Sequence, residues 1–195
     1  MNINFENIEK KCSDVTATKE YTKLVNKLKK SKKIFLIGNG GLHFVANHMA
    51  TDLTRLVHDK VVYSFESVGF ITSNANDHGF KNMFVRWLET TSNASIENPD
   101  ECLVIGLSCS GNSSNVIKAL HWAKEQNIET FLLSGQNSQV LGDGVDELSF
   151  GCEYFHTVEV MCMMLLYDLI HMVGSHCPSI TEEKKRMADS SLRKV

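Results

Sequence analysis

The run Leu103-Val104-Ile105-Gly106-Leu107-Ser108-Cys109-Ser110-Gly111-Asn112-Ser113-Ser114-Asn115-Val116-Ile117 constrains this chain more than any other segment. It opens as a short apolar stretch without polar alternation, the pattern of a strand covered on both faces. It closes as the start of an amphipathic helix. Between the two lie a glycine and a cluster of small hydroxyl residues. Such a turn offers hydroxyl donors, close backbone approach, and a helix start with unpaired N–H groups and a favourable dipole. Ser108, Ser110 and Ser113 are therefore the expected phosphate donors, with Asn112 helping to cap the helix. A ligand-free capped turn uses the same residue types, but the density of small polar residues exceeds what one cap needs. The cradle contains no lysine, so Gly-x-x-x-x-Gly-Lys-Ser/Thr is unmatched and no nucleotide triphosphatase is expected.

The remaining chain repeats the strand-then-helix alternation. Ile34-Phe35-Leu36-Ile37 runs into Gly38-Asn39-Gly40-Gly41, a buried strand ending in a glycine turn. Further strands are predicted at 61–65, 102–107, 128–134 and 147–150. Helices are predicted over about 5–30, from the glycine turn to about Val57, over 67–75, 80–90, 113–126 and 156–174. A turn is expected at 76–79 and a polar loop at 91–100, with Pro178 and a charged tail over 175–195 ending the fold. This is an α/β sheet with helices on both faces, which binds ligands beyond the carboxyl ends of its strands. Gly38–Gly41 and Ser108–Ser113 both belong to that edge.

Bulk properties narrow the partners. The 195 residues suit one domain, 1–195, with a helix at 5–30, the sheet and its helices at 33–174 and the tail at 175–195. A net charge of -3 gives nucleic-acid binding no support, and Lys27, Lys29, Lys30, Lys32 and Lys33 read as a solvated helix end. Residues 1–6 form no apolar signal region. The longest apolar stretch, 158–173, is broken by Glu159, Asp168 and His171 and falls short of the roughly 20 residues of a membrane span; it reads as a buried helix. Six cysteines without a C-x-x-C pair point to a reduced, cytoplasmic setting.

Four smaller constellations carry chemistry. Asn39, Gly40 and Gly41 suit close approach of backbone to a ligand, or simply a tight turn. With Phe44 in the neighbourhood of a third glycine, G-x-G-x-x-G is unmatched and no nucleotide cofactor is expected. His48 and Asp52, spaced i, i+4, share a helix face and suit a divalent metal, proton transfer or a surface pair. Asp77 is placed to accept from sugar hydroxyls or to close an Asx turn. His156 and Glu159, spaced i, i+3, open the last helix; His156 is a ligand candidate, and Glu159 suits the helix dipole there.

Gly38-Asn39-Gly40-Gly41, Asn76-Asp77-His78-Gly79-Phe80 and Ser108-Cys109-Ser110-Gly111-Asn112-Ser113-Ser114-Asn115-Val116, in this order, resemble the sugar isomerase (SIS) domain family, and within it the phosphoheptose isomerases. The resemblance implies a flavodoxin-like three-layer αβα fold with a central parallel five-stranded sheet, and a homotetramer with interfacial sites. It implies that Ser108, Ser110 and Ser113 hold the sugar phosphate, with Cys109 in place of a threonine, and that Asn39, Gly40 and Asp77 bind near the sugar. The implied reaction isomerises sedoheptulose 7-phosphate to an aldose through an enediol, as in heptose synthesis.

The departures fall on the reacting groups. Leu42 stands where the family has a serine. Asp52 replaces the catalytic glutamate, roughly 1.5 Å shorter in reach, and a displacement of about 1 Å can cost on the order of 10²-fold in rate. Met164 stands where the family has its catalytic histidine, and His156 where a glutamine helps bind zinc. His48, Asp52 and His156 remain a plausible three-ligand zinc set, with Asp52 and His156 as the acid–base candidates. Two functions follow as expectations: a phosphosugar isomerase, or a phosphosugar-binding or regulatory protein that has lost turnover.

Overall fold

The computed structural model describes residues 3–92 and 98–188. Its strands are β1 (Lys33–Gly38), β2 (Val61–Ser64), β3 (Cys102–Ser108), β4 (Glu129–Ser134) and β5 (Asp146–Ser149). They form one sheet in the order β2-β1-β3-β4-β5, with every neighbouring pair parallel. That is the flavodoxin-like order, and its direction reverses between β1 and β3. The strands read as apolar runs because both faces are covered: Ile34 and Leu36 enter one core, Phe35 and Ile37 the other.

The first core packs the sheet against α1 (Ile8–Thr16), α2 (Lys19–Lys30), α3 (Gly41–Leu56) and α7 (Phe155–Met172). The second holds α5 (Met83–Ser92) and α6 (Ser114–Glu125), with Phe70 and Ile71 of α4 (Val68–His78) packed against it. α7 passes for a membrane span by length and composition. Its buried side, including Val158, Met161, Leu165, Leu166 and Leu169, nevertheless belongs to the first core.

Three local expectations change. The predicted helix over 5–30 is two helices, because Thr18 interrupts it and accepts the Tyr21 N–H in a new N-cap. The predicted turn at 76–79 narrows to Gly79, whose φ of 80° ends α4 after it has run through Asp77. The tail contains α8 (Ile180–Ala188), started by a reciprocal box: Ser179 Oγ accepts the Glu182 N–H, and Glu182 accepts the Ser179 N–H. In the predicted loop at 91–100, residues 91–92 belong to α5, 99–101 form a 3-10 turn, and 93–97 lie outside the described residues.

Gly106, in the middle of β3, lets α6 seat directly on the sheet. A Cβ there would lie 2.6 Å from Val116 Cγ1 and 3.0 Å from Leu120 Cδ1. Gly106→Ala is therefore expected to destabilise the fold by about 1–3 kcal/mol through overpacking, measured as a lower urea midpoint at constant m. An unchanged midpoint would show that α6 is not seated so closely.

Candidate functional site

In the β1–β3 register Gly38 pairs with Leu107, so the strands end within one residue of each other and their turns face each other at the sheet's carboxyl edge. A reciprocal amide pair joins the turns. Asn39 Nδ2 donates to Asn115 Oδ1 at 2.9 Å, and Asn115 Nδ2 donates to Asn39 Oδ1 at 2.8 Å. Asn115 is buried at the start of α6, and its Oδ1 also accepts the Val116 N–H. Sequence reasoning missed its role. The available signal was an amide one helical turn before Ala119, on the side of α6 that faces inward.

Between the turns lies a pocket of about 330 Å³, walled by the two turns and the first turns of α7. That volume is at the small end of ligand sites, which run from about 300 to 1,000 Å³. Asn39, Gly40, Gly41, Ser108, Cys109, Ser110 and Ser113 all line it, as the sequence predicts. Leu42, Leu107, Phe155 and Glu159 line it as well.

The hydroxyl groups are mutually arranged. Ser108 Oγ and Ser113 Oγ are 2.9 Å apart, and Ser108 Oγ accepts the Ser113 N–H at 3.3 Å. Ser110 Oγ accepts the Asn112 N–H at 3.2 Å. Although Ser113 is the N-cap residue of α6, its side chain makes no capping bond. The amides of a first helical turn lack intrahelical acceptors, and α6 aims them at this edge. Gly111, at φ 71°, closes the turn where a Cβ would meet Gln136 O at 2.5 Å. Asn112 caps elsewhere: its Oδ1 accepts the Gln139 N–H at 2.9 Å.

Glu159 comes into the pocket because α3 and α7 run parallel, side by side. At one end of this helix pair a Cβ on Gly41 would run into the Glu159 carboxylate; at the other, Tyr167 Oη donates to Asp52 Oδ2 at 2.8 Å. Among the described residues no hydrogen bond or ion pair engages the Glu159 carboxylate.

The other predicted site residues do not join this pocket. Asp52 lies eleven residues beyond Gly41 on α3, about 16 Å along the axis at 1.5 Å per residue. It faces a separate cleft of about 360 Å³ with Arg55, Tyr167, Cys177 and Lys184. Both of its oxygens are engaged, Oδ1 by Arg55 Nη2 at 3.1 Å and Oδ2 by Tyr167. Asp77 also lies off the pocket, because α4 carries it past the expected turn; it is exposed and accepts from Asn76 Nδ2 at 2.8 Å. His156 turns away: its Nε2 bonds Asn4 O at 2.8 Å, and its ring packs on Phe5 and Tyr154.

The predicted zinc set is not assembled within one chain. His48 Nε2 lies 2.8 Å from Tyr167 Oη and 3.6 Å from Asp52 Oδ2. Burial, reinforced by the bond to Asp52, pushes the Tyr167 hydroxyl up to about 12, so it keeps its proton and donates it to Asp52. The same oxygen lies against His48 Nε2, so the Tyr167 hydroxyl bridges the two candidate ligands. His156 precedes Tyr167 by eleven residues on α7, about 16 Å along that helix. Among the described residues no three His, Cys, Asp or Glu side chains group around a common metal position.

Comparison with known proteins agrees with this architecture. The SIS domain family model matches residues 6–135. The phosphoheptose isomerase of Shigella dysenteriae is 32% identical over 127 residues, covering 63% of this chain and 63% of that protein. The phosphoheptose isomerase of Helicobacter pylori is 35% identical over 125 residues, covering 58% and 59%. The matches thus span less than two thirds of these relatives' lengths. Among solved structures, phosphoheptose isomerase from Neisseria gonorrhoeae superposes with a TM-score of 0.75 at 19% identity, covering 87% of this chain and 92% of its own. The sugar isomerase domain of an RpiR transcription factor from Sphaerobacter thermophilus gives 0.56 at 15% identity, covering 98% and 96%.

Cys109 offers a direct probe of the pocket. Burial pushes its thiol up to about 11, and the negative charge of Glu159 adds to the shift. Since the thiolate is the reactive form, alkylation of Cys109, read by peptide mass spectrometry, should be slow near pH 8 and rise only towards about pH 11. Glu159→Gln should move that rise to lower pH. A Cys109 that reacts near pH 8 as fast as in the unfolded chain would contradict this environment.

Proposed function

The chain belongs to the SIS domain family, and on that premise we propose that it binds a phosphosugar in the β1–β3 notch and isomerises it between aldose and ketose. The observation that carries the reading is the convergence of Ser108, Ser110, Ser113 and the α6 N-terminus on a ligand-sized pocket at the point where strand order reverses. Sedoheptulose 7-phosphate is the proposed substrate, since the most similar relatives described above are phosphoheptose isomerases. The six free cysteines support a reducing, cytoplasmic setting.

Calorimetric titration with sedoheptulose 7-phosphate tests the binding half. Ser110→Ala and Ser113→Ala should each weaken binding by about 1–3 kcal/mol, as expected for donors to a charged phosphate. Unchanged affinity in both would send the phosphate elsewhere. A second reading, binding without turnover, is favoured by Met164, a residue that cannot shuttle a proton. Loss of the C1/C2 proton signal in D₂O separates the two: exchange supports the isomerase, and tight binding without exchange supports the binder.

An assembly of identical copies, a tetramer in the family's manner, is part of the same proposal. Phe44, Phe155, Val160 and Met164 leave large apolar side chains exposed on the α3–α7 pair. Within one chain Asp52 cannot reach the notch, so its action as a base requires a ligand held by a neighbouring copy. A divalent ion would likewise need donors from a second copy. Light scattering after size exclusion should give a multiple of the 21.9 kDa chain mass, reduced by Phe44→Asp. A monomeric wild type would overturn the assembly.

A further inference from the structure

Building on the phosphosugar isomerase reading, we propose that Glu159 is the catalytic base for a sugar held in the notch of its own chain. Of the side chains lining the pocket, only Glu159 and Cys109 titrate at all. The serine hydroxyls, the Asn39 amide and the apolar walls can donate, accept or exclude water, but none exchanges a proton as an acid or base near neutral pH. Cys109 is held as a neutral thiol by its burial. That leaves one carboxylate for the proton transfer.

Its setting separates it from a surface acid. Glu159 is half-buried, lines a ligand-sized cavity and has no hydrogen-bond or ion-pair partner among the described residues. Asp52, by contrast, has both oxygens engaged. A structural carboxylate is normally satisfied by neighbours, and one left free toward a cavity is available to a ligand. Gly41 makes the placement possible, because any Cβ there would occupy the space of the carboxylate. The N-terminus of α3 lies beside it and favours negative charge.

The pocket has two unlike sides. The hydroxyl-rich β3–α6 turn suits the dianionic phosphate, while the β1–α3 turn with Glu159 lies across from it. A phosphosugar seated by its phosphate on the serine turn extends its carbon chain toward the carboxylate. Glu159 then removes the proton from the carbon beside the carbonyl. The C–H electron pair becomes the enediolate double bond, and the carbonyl π pair moves to oxygen. The carboxylic acid so formed returns the proton to the adjacent, former carbonyl carbon, while a hydroxyl proton passes between the two oxygens. The product is an isomer of the substrate, with no oxidant or co-reactant consumed.

The test measures binding and exchange separately on the full chain, with sedoheptulose 7-phosphate as the probe. Glu159→Gln should keep the wild-type melting temperature and bind at least as tightly, since it removes a negative charge from an anion site. Its rate of deuterium incorporation from D₂O should fall by about 10²–10⁴-fold. Glu159→Asp, which restores a carboxylate at shorter reach, should recover part of the exchange and the acid limb of the pH–rate profile. Wild-type exchange in a folded, binding Glu159→Gln overturns the inference and leaves the isomerase reading standing. Wild-type protein that binds without exchanging also overturns it, leaving a binding protein. Failure of the wild type to bind removes the notch reading itself.

Discussion

The parallel pairing of β1 with β3 is the constraint on which the rest of the molecule depends. Because Gly38, the last residue of β1, pairs with Leu107, one residue before the end of β3, the turns that follow have to meet. Because the strand order reverses at this pair, their helices leave toward opposite faces, α3 into the first core and α6 into the second. A crevice between them is then unavoidable. The Asn39–Asn115 amide pair fixes its width, one side chain from each turn satisfying the other in a place where unpaired amides would be costly. The site is thus a product of topology first and of particular side chains second.

On that crevice the chain arranges complementary chemistry. Three serines and a helix start provide hydrogen-bond donors on one side, and a carboxylate enters from a neighbouring helix on the other. The two acidic centres of the α3–α7 pair differ in kind. Asp52, bridged to Arg55, Tyr167 and through Tyr167 to His48, is part of a closed network. Glu159 is open. The proposed division of labour follows from that difference in satisfaction more than from residue type.

Much of this was legible in the sequence. The apolar runs of β1 and β3 and the small-residue turns after them carry their location with them, so the strand edge and the cradle residues from Asn39 to Ser113 could be read directly. The helices were legible where caps were not needed to place them; Thr18, Gly79 and the Ser179–Glu182 box shifted boundaries that periodicity alone blurs. Glu159, Asn115 and the position of Asp52 were harder. Their roles depend on how two helices distant in sequence lie against each other, and a spacing of i, i+4 records which residues share a face but not what that face meets. His48 and Asp52 do share a face, as their spacing requires, and it looks onto Tyr167 and not onto the crevice.

Gly41 has a consequence for how variants at the glycine turn should be interpreted. A glycine after a strand is customarily credited with admitting an anion to the backbone. Here the missing side chain also makes room for an acid supplied from over a hundred residues away in sequence. Any larger residue at 41 would evict that acid while leaving the serines untouched, so a defect produced there reports on the tenant of the vacated volume and not on the strength of the anion's grip.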